Sequence, residues 1–223
     1  MKEQLREYIF SLGADLCGFA GINRFADAPE GFKPSDIWSE CKSVISLAVA
    51  LPKGLGRINP RLIYSHYNSF SCLKIESIAF NASKYIEANS NYSAIPIPCD
   101  SPYEYWNEDF LEGRGLLSMK HIAVQAGLGT IGENTLLMCE EFGNMVTLGC
   151  VLTNCEIESD NLTGNICIDN CNKCITACPV NAINNNSVNQ KLCRKNTYGK
   201  TRRGFDTVDC NMCRTICPMN NYE

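Results

Sequence analysis

Histidine is almost missing from this chain. Only His66 and His121 occur in 223 residues, which excludes a histidine-rich metal site. No Ser/His/Asp constellation can be argued, because a lone histidine is more often a core or surface residue than a functional one. His121 stands beside Lys120, about two turns before a glycine-rich loop, and is the more interesting of the two. Long apolar runs are also lacking. None reaches the ~20 residues that a membrane-spanning helix needs. The first residues, MKEQLREYIFSLG, are charged and amphipathic and do not read as a signal peptide. A cytoplasmic protein with no membrane partner is therefore expected. There is no phosphate-binding P-loop, and no glycine fingerprint sits between a strand and a following helix. Nucleotide chemistry has nothing to stand on.

Cysteine is what the chain has in excess. There are 15, and eight fall in the last 57 residues. Their order is Cys167-x3-Cys171-x2-Cys174-x3-Cys178-Pro179, a lone Cys193, then Cys210-x2-Cys213-x3-Cys217-Pro218. Two close-set runs, each ending in Cys-Pro, are the signature of a module that holds two [4Fe–4S] clusters. In that module the cysteine before the proline ligates the cluster of the other run. Crossing assigns Cys167, Cys171, Cys174 and Cys217 to one cluster, and Cys178, Cys193, Cys210 and Cys213 to the other. The first gap is three residues where two are usual, which makes Cys167 the ligand to question. A disulfide scaffold is the competing reading of so much cysteine, but such scaffolds are short and secreted. Zinc is the competing reading of any Cys-x2-Cys pair, although zinc sites lack the Cys-Pro endings. The remaining cysteines, at 17, 41, 72, 99, 139, 150 and 155, mostly lie in apolar runs and read as small core hydrophobes. Cys99 is the one expected to be exposed and reactive.

Charge divides at the same place. Residues 1–166 carry 12 Lys+Arg against 20 Asp+Glu, and residues 167–223 carry 8 against 4. A basic tail can serve nucleic acid. The local reading is that two clusters with their thiolates bring about four negative charges, which this segment offsets.

The apolar pattern predicts a helix over 2–12, a short strand over 14–20 and a central strand over 43–51. A long helix follows over 62–88, then a strand over 93–97, a helix over 116–126, and strands over 135–138 and 145–153. Residues 99–114 (CDSPYEYWNEDFLEGR) are acidic and aromatic without periodicity, and read as a loop. Residues 154–165 read as a linker. The loop from Gly127 to Asn134 (GLGTIGEN) is the second signal. Its glycines allow left-handed turns and close backbone approach, although helix termination alone explains Gly127.

The stretch from Ser118 to Leu137 (SMKHIAVQAGLGTIGENTLL), residues 143–153 (GNMVTLGCVLT) and the cysteine module together resemble the epoxyqueuosine reductases. Reductive dehalogenases share this architecture. The resemblance implies an α/β (α+β) nitroreductase-like sandwich over 1–160 and a ferredoxin-like double-cluster domain over 161–223. It implies a cobalamin lying over the loop, with Gly127, Leu128, Gly129, Thr130, Ile131, Gly132 and Asn134 beside it and Leu137 and Leu148 touching the corrin. It also implies an oxidoreductase fed by an external low-potential donor of the ferredoxin or flavodoxin type. The family's Asp-Ser-x-Pro segment just before the helix is absent; residues 111–115 read LEGRG. Asp100 and Glu112 are the carboxylates left to supply the proton that such a reduction requires. The chain ends five residues after Pro218, before the family's C-terminal helical-repeat domain. The expectation is therefore a small electrophilic substrate and no tRNA partner. Two alternatives stand: a ferredoxin-like electron carrier without substrate chemistry, and a flavin-bearing or corrinoid-activating reductase.

Overall fold

A computed structural model describes residues 1–184 and 187–220. Helix α1 (Lys2–Ser11) leads into strand β1 (Leu16–Gly21), a short helix α2 (Pro34–Ile37) and strand β2 (Ser43–Ala50). The long helix α3 (Arg61–Asn89) precedes strand β3 (Ala94–Ile97), a small hairpin of β4 (Tyr105–Asn107) and β5 (Glu112–Arg114), and helix α4 (Met119–Gln125). A second small hairpin, β6 (Thr130–Ile131) and β7 (Leu137–Met138), comes before strand β8 (Val146–Thr153).

The main sheet has the order β1-β2-β8-β3, with every pair antiparallel. Strands β2 and β8 lie at its centre, which is why SVISLAVA is apolar without alternation. Seven of its eight residues are buried because both faces are covered. On one face Phe19, Ile45, Leu47 and Val151 pack against Leu5 and Ile9 of α1 and Ile75, Ile78 and Ala82 of α3. On the other, Ala20, Val44, Cys150 and Leu152 pack against Ile122 and Ala126 at α4. The result is a three-layer helix–sheet–helix unit. Gly149 lets α3 approach β8, since a Cβ there would meet Ile75 Cγ1 at 2.7 Å.

Strand β1 is an edge, and the segment predicted as a linker covers it. Asp160 N–H donates to the Phe19 carbonyl at 2.9 Å. Phe19 N–H donates to Asp160 Oδ2 at 3.0 Å, and Gly21 N–H to Ser159 Oγ at 2.8 Å. A covered edge cannot template pairing with another chain.

The cysteine module is built from α5 (Lys173–Thr176), β9 (Ile183–Asn184), β10 (Ser187–Val188), α6 (Gln190–Thr197), β11 (Tyr198–Lys200), β12 (Asp206–Val208) and α7 (Met212–Thr215). The two runs fold alike. Cys178 N–H donates to the Ile175 carbonyl at 3.2 Å, and Cys217 N–H donates to the Arg214 carbonyl at 3.2 Å.

The segment 99–114 differs from expectation, since it holds the β4–β5 hairpin. Its strands are three residues each, and β4 is wholly exposed, so no apolar alternation could announce them. Thr130–Ile131 is likewise too short to leave a pattern.

Candidate functional site

The four thiols that crossing assigns to one cluster line a single pocket. Cys167, Cys171, Cys174, Cys217 and Pro218 meet Glu133, Asn134 and Met138 there. Cys217 belongs to the second run by sequence and to the first group by position. Proximity is electrostatic as well: burial raises the Cys217 thiol's pKa, and Cys167 and Cys171 raise it further. The second set is partly gathered. The Cys213 thiol is pushed up to about 11 by burial, Arg214 eases this, and Cys193, Cys210 and Cys174 add to it. The reach from Cys213 to Cys174 makes the two thiol groups neighbours. Cys178 turns its sulfur towards its own turn, where it accepts from Ala182 N–H at 3.2 Å. Among the described residues no three His, Cys, Asp or Glu side chains converge on one metal ion. The first four thiols surround a space instead, and soft donors spread around a space fit an iron–sulfur core.

The end of the glycine loop, Glu133 and Asn134, lines this pocket. Its glycines do not form an open cradle, because the chain fills the room they leave. A Cβ at Gly129 would meet the Met138 carbonyl at 1.9 Å, and one at Gly127 would meet the Asn161 carbonyl at 2.2 Å. Gly132 faces Met138 Cγ at 2.7 Å. Thr130 Oγ1 accepts from Ile166 N–H at 3.2 Å, which ties the loop to the start of the first run. Asn134 is buried, donates to the Cys213 carbonyl at 3.1 Å and accepts from Leu136 N–H at 3.1 Å. Leu137 is buried with Ala48, Ala123 and Val146, whereas Leu128, Leu148, Leu16 and Phe142 are half-buried around that core. Ile131 is half-buried too.

Sequence reasoning missed the polar junction behind Cys213. Asn144 is 1% exposed and Asn220 is 2% exposed. Asn144 N–H donates to Asn220 Oδ1 at 2.9 Å, and Asn220 Nδ2 returns a bond to Asn144 Oδ1 at 3.1 Å. Arg214 caps the Asn144 carbonyl. Nothing in GNM or PMNN announces a buried pair 76 positions apart. The pair locks the entry of β8 to the second run.

Of the candidate carboxylates, Glu112 is held by Arg114 at 2.7 Å. Asp100 is exposed at the root of the hairpin segment, where its charge is felt by Arg194 and Tyr198. Arg194, next to Cys193, joins the hairpin to the module. Its guanidinium lies 5.1 Å from the Tyr103 ring, 5.2 Å from Trp106 and 5.7 Å from Tyr198. It also donates to Tyr103 Oη at 3.0 Å. Gln190 pairs with the backbone of Gly113. Replacing Arg194 by alanine removes a cation held over three rings, worth about 1–2 kcal/mol. The expected result is faster amide exchange across 103–114 with the main sheet unchanged. Equal protection in both proteins would refute this docking role.

His121 stays local. Its Nδ1 lies 2.6 Å from Ser118 Oγ, and burial followed by Lys120 lowers its pKa. His66 packs against Tyr67.

This arrangement has known counterparts. An epoxyqueuosine reductase of Bacillus anthracis is 32% identical over 215 residues, covering 86% of this chain and 55% of that protein. The chain resembles the epoxyqueuosine reductases. It spans about half the length of the curated relatives that it matches along most of its own length. No protein-family model matches it. Among solved structures, an epoxyqueuosine reductase with a tRNA-Tyr epoxyqueuosine-modified tRNA stem loop superposes with TM-score 0.67 at 18% identity, over 98% of this chain and 65% of that one. The catabolic reductive dehalogenase NpRdhA superposes with TM-score 0.74 at 17% identity, over 98% of this chain and 32% of that one. The mixed α/β fold with small antiparallel sheets is common to all three proteins. The expectation of a small-molecule substrate and no tRNA partner is corrected here. A relative of the same fold is seen with a tRNA stem loop, and the end of the chain was no ground for excluding RNA. Among the described residues, no helix is long and apolar enough to cross a membrane.

Proposed function

We propose that this chain is an iron–sulfur reductase of the epoxyqueuosine-reductase type, acting on an epoxide-bearing nucleoside in tRNA. The observation that carries it is the pocket in which Cys217 joins Cys167, Cys171 and Cys174. In this reading residues 1–160 form a nitroreductase-like domain and residues 161–223 a ferredoxin-like one. Cys178, Cys193, Cys210 and Cys213 hold the second cluster. A corrinoid, which the resemblance implies, would rest on the half-buried apolar rim of Leu128, Ile131 and Leu148, with Leu137 as support beneath. When bound, it supplies a low-valent cobalt that passes electrons to the substrate.

The chain's own groups account for the rest. Reducing an epoxide to an alkene takes two electrons and two protons and releases water. The electrons enter from a ferredoxin- or flavodoxin-type donor. Asp100, which among the described residues is not ion-paired as Glu112 is, is the carboxylate we assign as proton donor. Exposed Lys195, Arg202 and Arg203 flank exposed Tyr198 and Phe205 along α6 and the β11–β12 hairpin, where Lys200 is paired with Asp206. Basic groups interleaved with aromatics suit a phosphate backbone with unstacked bases.

The test is anaerobic. Purified protein should hold about eight irons per chain, change the spectrum of added cobalamin, and convert an epoxyqueuosine-bearing stem loop when given reduced flavodoxin. Full iron with neither a corrinoid response nor turnover would favour an electron carrier. A persistent flavin spectrum would favour the flavin form.

A further inference from the structure

Seven cysteines lie outside the two runs and Cys193. Five of them, Cys17, Cys41, Cys139, Cys150 and Cys155, are buried. Burial raises their pKa values, with Cys17 pushed up to about 12 and Cys139 to about 11. Such thiols are inert. Cys72 and Cys99 are different, since both are only half-buried. They come from two elements that pack together, α3 and the residue pair after β3. Cys99 Sγ donates to the Cys72 carbonyl at 3.8 Å, which sets the Cys99 thiol against Cys72, and each thiol perturbs the other's pKa. Glu76 anchors the site by accepting from Cys99 N–H at 3.3 Å. Asp100 and Arg214 are the other charges that reach the pair.

We propose that Cys72 and Cys99 form a reversible intramolecular disulfide, a redox-sensitive tether between α3 and the root of the 99–114 segment. The Cys99 thiol reaches the Cys72 backbone and the Cys99 N–H is held by Glu76 one turn further along α3, so the two side chains are placed to close to an S–S bond of about 2.05 Å. The Cys99 thiol keeps its proton engaged on the Cys72 carbonyl, so Cys72 is the attacking sulfur and Cys99 the resolving one. The pKa directions agree: contact with Cys99 lowers the Cys72 thiol, and the same contact raises Cys99.

The oxidant is a small-molecule disulfide such as oxidised glutathione. The Cys72 thiolate attacks one of its sulfurs and expels a glutathione thiolate. Cys99 gives up its proton and attacks the Cys72 sulfur, and the second glutathione leaves. One disulfide is made and one is broken. Two electrons and two protons pass from the protein to glutathione. The tether fixes Cys99, and Asp100 beside it, to α3 while Arg194 holds the far part of the segment to the module. None of these steps uses a cluster.

The experiment equilibrates the anaerobic full-length protein in buffers of varied reduced-to-oxidised glutathione ratio. The protein is then quenched by alkylation and its peptides are mapped by mass. Cys72 and Cys99 should lose alkylation together, in one transition, and appear as one linked peptide. Cys99→Ser should leave Cys72 carrying glutathione. The linked form should show slower amide exchange over 99–114 than the reduced form. The proposal is overturned if both residues stay alkylatable at every ratio, if each carries its own glutathione in the wild-type chain, or if either links to a third cysteine. It is also overturned if exchange over 99–114 does not slow. The peptide map reads the same with or without iron, so its outcome is separate from that of the reductase assay.

Discussion

Replacing Cys217 by alanine should remove the cluster proposed for the first run. Cys217 lies in the pocket with Cys167, Cys171 and Cys174, so its loss and the loss of Cys171 strike the same core. Both variants should fall from about eight irons to about four, and both should keep the same residual EPR signal of the reduced protein. Cys213→Ala should keep the other signal, because Cys213 sits with Cys193 and Cys210. If Cys217→Ala instead matched Cys213→Ala, ligation would follow the sequence runs and the crossed assignment would fall. The effect is large because a thiolate site is formed only in the folded chain, so ligand binding and folding are one free energy.

Asp160→Asn should cost about 2–3 kcal/mol of stability, the range for losing charge-assisted hydrogen bonds. One carboxylate holds Lys2 at 2.7 Å, Arg6 at 2.9 Å and Phe19 N–H at 3.0 Å. Its side chain and that of Arg6 are only 24% and 22% exposed, so solvent screens the pair weakly. Burial alone would raise the Asp160 pKa, but the bonds from Lys2 and Arg6 outweigh it and bring the pKa below its ordinary value of 3.8. A carboxylate with a depressed folded pKa stabilises fully above the unfolded value and loses that contribution as pH falls through the folded one. Wild type and Asp160→Asn should therefore differ by a constant amount from pH 7 down to about pH 5 and converge below about pH 4. Chemical denaturation across that range measures it. A gap that persisted unchanged into acid would show that the charge is not what Asp160 contributes.

The carboxylate that straps the β1 edge sits in a stretch, residues 154–165, whose composition announces only a linker. Its partners lie up to 158 positions earlier, and no local pattern encodes a pairing of that separation. The same limit hid Asn144 and Asn220, and the hairpin that Arg194 grips. The glycine loop was legible as a place where backbone must come close. What came close was the chain itself, at Met138 and Asn161, and only packing could decide that.

The sequence by itself determined the central strands, because two-sided burial forces an unbroken apolar run on SVISLAVA. It also determined the two matched cysteine runs with their prolines, because ligand spacing is a local property of a short turn. The tertiary structure decided which groups line the pocket around Cys217, which thiols are sealed in the core, and that Cys99 packs against Cys72. Those are distances between segments far apart in the chain, set by how α3 and the module pack on the rest, and short-range spacing carries no record of them.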